Sequence, residues 1–156
     1  MAFLKETERS LRAYFIFVGV IGTLVALSSL GDASKGTPMK SMLVTAAIWF
    51  PPVAHLVLGP AFVIAGIRLR RALESGAPGT RQLVKIAALV LVADVVLYLA
   101  ALNSIGAGGD TAELAGRAFG RALIPLLILW YIHASLRRLA DESQHRVVST
   151  VADKFG

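Results

Sequence analysis

The sequence contains no cysteine in its 156 residues. This absence excludes disulfide bonds, thiolate zinc sites, iron–sulfur clusters and thiol nucleophiles from the chemistry of the chain. Charge is also scarce, since Asp, Glu, Lys and Arg make up 17% of the residues whereas apolar residues make up 56%. A water-soluble domain has roughly a quarter of its residues charged. The composition therefore excludes an ordinary soluble globule and predicts a protein that is solvated partly by lipid.

The common signatures of enzymes are missing as well. The sequence has no glycine-rich phosphate loop, no His-Glu-x-x-His metal pair and no serine in a Gly-x-Ser-x-Gly frame. No apolar run holds two carboxylates that could share acid–base work. We therefore expect no enzyme, no catalytic residues, no metal site and no cofactor, with a haem held by His55 and His133 as the alternative.

What the sequence does contain is four long runs that are almost free of charge. A helix needs about 20 mainly apolar residues to cross the hydrocarbon layer of a bilayer. The runs therefore predict an all-α polytopic membrane protein, a four-transmembrane-helix bundle that forms a single membrane domain over 1–156. The predicted spans are 13–30, 42–67, 86–102 and 118–136; segments 31–41 and 68–85 are predicted loops, and 137–156 a cytoplasmic tail.

The distribution of basic residues predicts the orientation of these spans. If the amino terminus is cytoplasmic, twelve of the sixteen Lys and Arg residues lie in inner segments. Only Lys35, Lys40, Arg117 and Arg121 then lie outside. This bias predicts a bacterial inner-membrane protein with both termini in the cytoplasm. The net charge of +6 thus reflects topology, and we expect no nucleic-acid binding because the basic residues do not form one accessible face.

The two halves of the chain resemble each other in two places. Segment 24–31 is similar to 99–106, and 69–75 is similar to 136–143 with one insertion. A duplication would give two tandem helical hairpins related by an axis along the membrane normal. Chance similarity between leucine-rich segments is the alternative interpretation, and we favour it slightly.

Two ionisable residues lie near the centres of their spans, His55 in the second and Asp94 in the third. An unpaired carboxylate at this depth costs about 2.5–3.5 kcal/mol, so Asp94 should face the bundle interior and find a partner. A hydrogen bond between His55 and Asp94 would meet this need. The pair fits a proton or cation relay, or a polar clasp that only fixes helix packing; we favour the clasp.

The second span is unusual because it contains three prolines. Each proline removes a backbone donor and clashes with the preceding turn, which predicts a kinked or opened helix near His55. Such an opening could shape a small cavity, but tolerated packing kinks are the more common outcome. The residues predicted to break or pack the helices around the pair are Pro51, Pro52, Pro60 and Tyr98.

Two further groups of side chains are weaker candidates. His55 and His133 are the residues that could ligate a haem, but their predicted depths differ by about 9 Å at 1.5 Å per residue, which disfavours it. Five arginines form a predicted inner basic collar that either binds anionic lipid headgroups or only sets orientation, and we favour orientation. The collar consists of Arg68, Arg70, Arg71, Arg137 and Arg138.

These features support three classes of function. An accessory or scaffold subunit of a larger membrane complex fits best with short loops, small-residue helix faces and the lack of catalytic groups. The alternative is a small oligomeric transporter or channel that couples protons or cations through His55 and Asp94. A haem- or lipid-binding membrane protein is the third class. The expected partners are the lipid bilayer, anionic lipid, and other membrane subunits or further copies of the chain.

Overall fold

The computed structural model describes residues 2–34, 42–106 and 111–155. In these ranges the chain forms four α-helices: α1 (Ala2–Ser34), α2 (Met42–Glu74), α3 (Pro78–Ser104) and α4 (Thr111–Phe155). Each contains a segment long and apolar enough to cross a membrane, namely Lys5–Gly31, Met42–Glu74, Pro78–Ser104 and Phe119–His145. The prediction of an all-helical chain with four long apolar helices is confirmed. Lys35 and Lys40, expected in an outer loop, lie outside the described residues.

The connection between α2 and α3 is much shorter than predicted. Segment 68–85 was expected to be a loop, but only residues 75–77 are non-helical. The turn uses two left-handed residues, Gly76 (φ 78°) and Ala77 (φ 50°), and the Ala77 N–H donates to the carbonyl oxygen of Ala72 at 2.6 Å. Pro78 then begins α3, where its missing N–H has no helical partner to lose. The prediction was wrong because the basic residues end the apolar run without ending the helix; Arg, Leu and Glu are good helix formers.

Helix α4 likewise continues past its apolar run and includes the predicted tail. Its 45 residues make a rod of about 67 Å at 1.5 Å per residue, about twice the hydrocarbon thickness. The extension packs against the bundle near the end of α2, because Leu139 and Ala140 are buried. The Ser143 hydroxyl donates to the carbonyl oxygen of Leu73 at 2.6 Å. This contact fixes α4 to the α2–α3 turn.

Helices α1 and α2 form the most extensive contact of the bundle, through glycines that let the two backbones approach. A Cβ atom built on Gly19 would lie 2.5 Å from the carbonyl oxygen of Gly59. One built on Gly66 would lie 3.1 Å from the carbonyl oxygen of Arg12. The Phe15 and Phe62 rings stack beside this close contact, the α1–α2 seam, with centroids 5.4 Å apart. Small residues at helix interfaces are typical of membrane proteins, which lack a strong hydrophobic drive between helices.

The other helix pairs are looser. Among the described residues α1 touches α4 only briefly and has no close backbone contact with α3, so α1 and α3 lie diagonally across the bundle. Gly116 and Gly120 lie one turn apart in α4, but among the described residues a Cβ built on either one has no atom of another helix within 4 Å. The bundle thus consists of one tight hairpin, α1–α2, and a second hairpin, α3–α4, packed less closely.

Candidate functional site: the central cavity

The loose packing leaves a cavity of about 330 Å³ at the centre of the bundle. All four helices contribute to its wall, which is almost entirely apolar. The polar side chains on the wall include His55 from α2 and Asp94 from α3. Ligand sites are typically apolar pockets of about 300–1,000 Å³ with a few placed polar groups, and this cavity fits that description.

Asp94 forms an ion pair with Arg121 of α4. Nε of Arg121 lies 2.9 Å from one carboxylate oxygen of Asp94, and a terminal guanidinium nitrogen lies 3.3 Å from the other. The two-pronged geometry is the arrangement in which a guanidinium binds a carboxylate most strongly. The carboxylate side chain is 12% exposed whereas that of Arg121 is 41% exposed. Asp94 is therefore the enclosed partner, and Arg121 reaches it from the edge of the bundle.

Tyr98 belongs to the same cluster. The guanidinium carbon of Arg121 lies 4.6 Å from the centroid of the Tyr98 ring, within the range of a cation–π contact. Tyr98 is one turn from Asp94 on α3, so a single helix face presents both a carboxylate and an aromatic ring to Arg121. The cluster fixes α4 against α3 at one depth.

His55 makes a different contact from the one predicted. Its Nδ1 lies 2.7 Å from the carbonyl oxygen of Pro51, one turn earlier in α2. Because a carbonyl only accepts, Nδ1 donates, and a neutral ring then has Nε2 as a hydrogen-bond acceptor. The structure thus brings His55 and Asp94 to one cavity but gives each a partner other than the other. His55 and Asp94 were expected to pair with each other. Instead, His55 contacts the carbonyl oxygen of Pro51, and Asp94 contacts Arg121.

The prolines of α2 take three different positions. Pro51 lines the cavity, Pro52 is buried in the bundle, and Pro60 is exposed at its surface. Helix α2 nevertheless runs without interruption from Met42 to Glu74. In α4, Pro125 also lines the cavity, so proline side chains from two helices face this space and shape its wall.

No protein-family model, curated protein or solved structure matches the chain. The sequence alone did not identify Arg121 as the partner of Asp94, because the relative depth of the two residues depends on where α3 ends and α4 begins, which the apolar runs do not give. Asp94 lies ten residues before the end of α3 at Ser104, and Arg121 lies ten residues after the start of α4 at Thr111. Residues equidistant from the turn of an antiparallel hairpin lie at the same depth.

The two haem candidates do not share a site. His55 lines the central cavity, whereas His133 lines a separate apolar groove of about 400 Å³ between α3 and α4. Nδ1 of His133 is buried and has no hydrogen-bond partner among the described residues. The described part of the chain also contains no group of three or more His, Asp or Glu side chains arranged to hold a metal ion.

The five arginines of the predicted collar are exposed, but they do not form one site. Arg70 lines a charged cleft of about 530 Å³ between α1, α2 and α4. Arg68 lines a different groove, between α2 and α3. Neither this cleft nor this groove includes Arg71, Arg137 or Arg138 in its wall. Arg70 and Arg68 therefore lie on different sides of α2 and do not share a site.

Proposed function

We propose that the protein is a membrane-embedded binding protein that holds a mainly apolar molecule, a lipid or a lipid-like compound, in its central cavity. The observation that carries this proposal is the apolar wall built from all four helices with His55 at one point of it. The acceptor at Nε2 of His55 suits a ligand with one hydroxyl or N–H group. Asp94 already has a cation partner, so a proton or cation relay through it has weaker support.

A groove between α1 and α4 offers an entry path for such a ligand. It has a volume of about 490 Å³ and shares Tyr14 and Ile128 with the central cavity. At its far end the groove is lined by polar side chains, among them Ser10 and Ser135. Because α1 and α4 touch so little, a hydrocarbon chain could pass between them from the bilayer, its polar end near Ser10 and Ser135.

A substitution that fills the cavity tests the proposal. Val90 lines the cavity, whereas Val92 is exposed on the outer surface of the same helix. We expect Val90→Phe to reduce labelling of the cavity wall by a photoactivatable palmitic acid by about tenfold, equivalent to about 1.4 kcal/mol. The protein would be reconstituted in liposomes, irradiated and digested, and the adducts located by mass spectrometry.

The matched variant Val92→Phe adds the same volume outside the cavity and should leave cavity labelling unchanged. Adducts on outward-facing side chains such as Val57 and Leu89, both 69% exposed, report contact with bulk lipid and should be equal in both variants. If the unaltered protein is labelled only at such outward positions, the cavity does not bind an alkyl chain and the proposal is wrong.

The orientation proposed with this function is a bacterial inner-membrane protein with both termini in the cytoplasm, supported by the bias of basic residues. The absence of cysteine allows a clean test by single cysteines. We expect Ser75→Cys, in the α2–α3 turn, to react with a membrane-impermeant maleimide only after the membrane is permeabilised. Ile105→Cys, at the opposite end of α3, should react in intact cells. The reverse pattern would overturn the orientation.

A second candidate, an accessory subunit of a larger membrane complex, is favoured by the groove between α3 and α4. Trp130 on its edge is 70% exposed. A large exposed aromatic side chain beside an apolar groove is typical of a surface that packs against another helix. The mass of the complex in mild detergent tests this role: a stoichiometric partner that Trp130→Ala releases supports it, and a pure homo-oligomer contradicts it.

A further inference from the structure

A second cavity lies at the end of the bundle where α1 begins, α2 ends and α4 passes the α2–α3 turn. This charged cleft has a volume of about 530 Å³ and a floor of two buried leucines, Leu73 and Leu139. Seven charged side chains surround the floor. The basic ones are Lys5, Arg9, Arg12 and Arg70, and the acidic ones are Glu8, Glu74 and Glu142.

The tight seam between α1 and α2 brings the arginines together. The α1 backbone at Arg12 lies against Gly66 of α2, one turn before Arg70. Arg9 is three residues before Arg12, on the same face of α1. The glycine at position 66 therefore does more than pack two helices, since it places guanidinium groups from both of them around one cleft.

The arginines also lie at a definite depth. Arg12 is the last charged residue before the apolar run of α1, and Arg70 follows the end of the apolar run of α2 by three residues. The boundary of an apolar run marks the boundary of the hydrocarbon layer, where the phosphate groups of lipids lie. The cleft is thus at headgroup level and opens beside the apolar helix surface.

As far as the structure describes them, the charged side chains of the cleft are not paired with one another. Among the described residues, none of the seven forms an ion pair within 4 Å with another side chain. A purely anionic ligand would face three carboxylates, and a purely cationic ligand would face four basic groups. A ligand that carries both signs would satisfy both sets, because guanidinium groups bind phosphate in two-pronged fashion and carboxylates accept hydrogen bonds from a primary ammonium.

We propose that the charged cleft binds the headgroup of a phospholipid that carries a phosphate and a primary ammonium group. The phosphate lies among Arg9, Arg12 and Arg70, and the ammonium among the three carboxylates. The shared chemistry is that of phosphoethanolamine, which is available as a lipid or as a free soluble compound. The depth of the arginines and the adjoining apolar surface favour the lipid. This site is separate from the central cavity and does not depend on the function proposed for it.

Binding of defined lipids to the full chain tests the proposal. Purified protein in detergent would be titrated with phosphatidylethanolamine or phosphatidylglycerol, and bound lipid counted by native mass spectrometry. We expect phosphatidylethanolamine to bind about tenfold more tightly, and Arg70→Gln to weaken it about tenfold by removing one charge-assisted contact. Arg68→Gln is the matched control, since it removes an equal charge at similar depth on a different face of α2.

Three outcomes would overturn the proposal. Phosphatidylglycerol binding as tightly as phosphatidylethanolamine would show that the carboxylates have no role. Equal effects of Arg68→Gln and Arg70→Gln would show that only net charge matters. Free O-phosphoethanolamine displacing the lipid at equal concentration would assign the site to a soluble ligand. Both arginines are exposed, so neither variant should unfold the protein, and melting temperatures would verify this.

Discussion

Replacing Gly59 with alanine is expected to lower the free energy of unfolding by about 1–3 kcal/mol, the usual cost of an overpacked interface. A Cβ at this position would collide with the hydroxyl oxygen of Thr23 and lie 2.8 Å from the carbonyl oxygen of Gly19. The Thr23 hydroxyl already donates to that same carbonyl at 2.8 Å. The added methyl therefore breaks a hydrogen bond or separates the two helices.

Thermal unfolding in detergent, followed by circular dichroism, measures this effect. Gly116→Ala is the control, because within the part of the chain that the structure describes a Cβ at Gly116 meets no atom of another helix within 4 Å. In an exposed helix alanine is more favourable than glycine by about 1 kcal/mol, so this variant should melt at the same or a higher temperature. Equal melting temperatures for the two variants would mean that α1 and α2 do not approach at Gly59.

The contrast between these glycines shows what the sequence could and could not predict about packing. Gly19 lies on a small-residue face of α1 and Gly59 on one of α2, and the structure places the two glycines against each other. Gly116 and Gly120 lie four residues apart in α4, yet among the described residues a Cβ built on either one meets no atom of another helix within 4 Å. A small-residue pattern indicates that a close approach is permitted. Whether a partner helix occupies the space depends on the whole bundle, which one helix does not encode.

The number and type of the helices followed from the apolar runs, because backbone groups in hydrocarbon must be satisfied within the helix. The positions of the helix ends could not be predicted from the apolar runs. Hydropathy changes at the headgroups, whereas a helix ends where the backbone turns, as at Gly76 and Ala77. The helical segments 68–74 and 137–155 contain charged residues that are compatible with a helix in water. They form the end of the bundle that holds the charged cleft, so this site could not be inferred from the spans.

The candidate site was predicted in part. The position of each residue near the centre of its span predicted similar depths for His55 and Asp94, and both line one cavity. Their contacts could not be derived in the same way, because contact requires the rotation of each helix as well as its depth. Arg121 was assigned to the outer boundary by its charge, but the structure places it as far into α4 as Asp94 lies in α3, where its guanidinium pairs with the Asp94 carboxylate.

Replacing Arg121 with glutamine is expected to lower the free energy of unfolding by about 2–3 kcal/mol, because it leaves the enclosed carboxylate of Asp94 without a cation in a membrane span. Asp94→Asn should cost less. The side chain of Arg121 is 41% exposed whereas that of Asp94 is 12% exposed, so an unpaired Arg121 can extend toward the headgroups while an unpaired Asp94 cannot. The double variant should therefore be more stable than Arg121→Gln alone.

This order of stabilities separates a polar clasp from a pair of independent charges. A clasp gives a coupling energy between the two substitutions of about 0.5–3 kcal/mol in a double-mutant cycle, measured by unfolding in mixed micelles. Arg68→Gln provides the control, since Arg68 is exposed, lines a groove away from Asp94 and forms no ion pair among the described residues. If Arg121→Gln is as stable as Arg68→Gln, Asp94 does not need its cation. The residue would then be available for a role in the cavity rather than in holding α3 to α4.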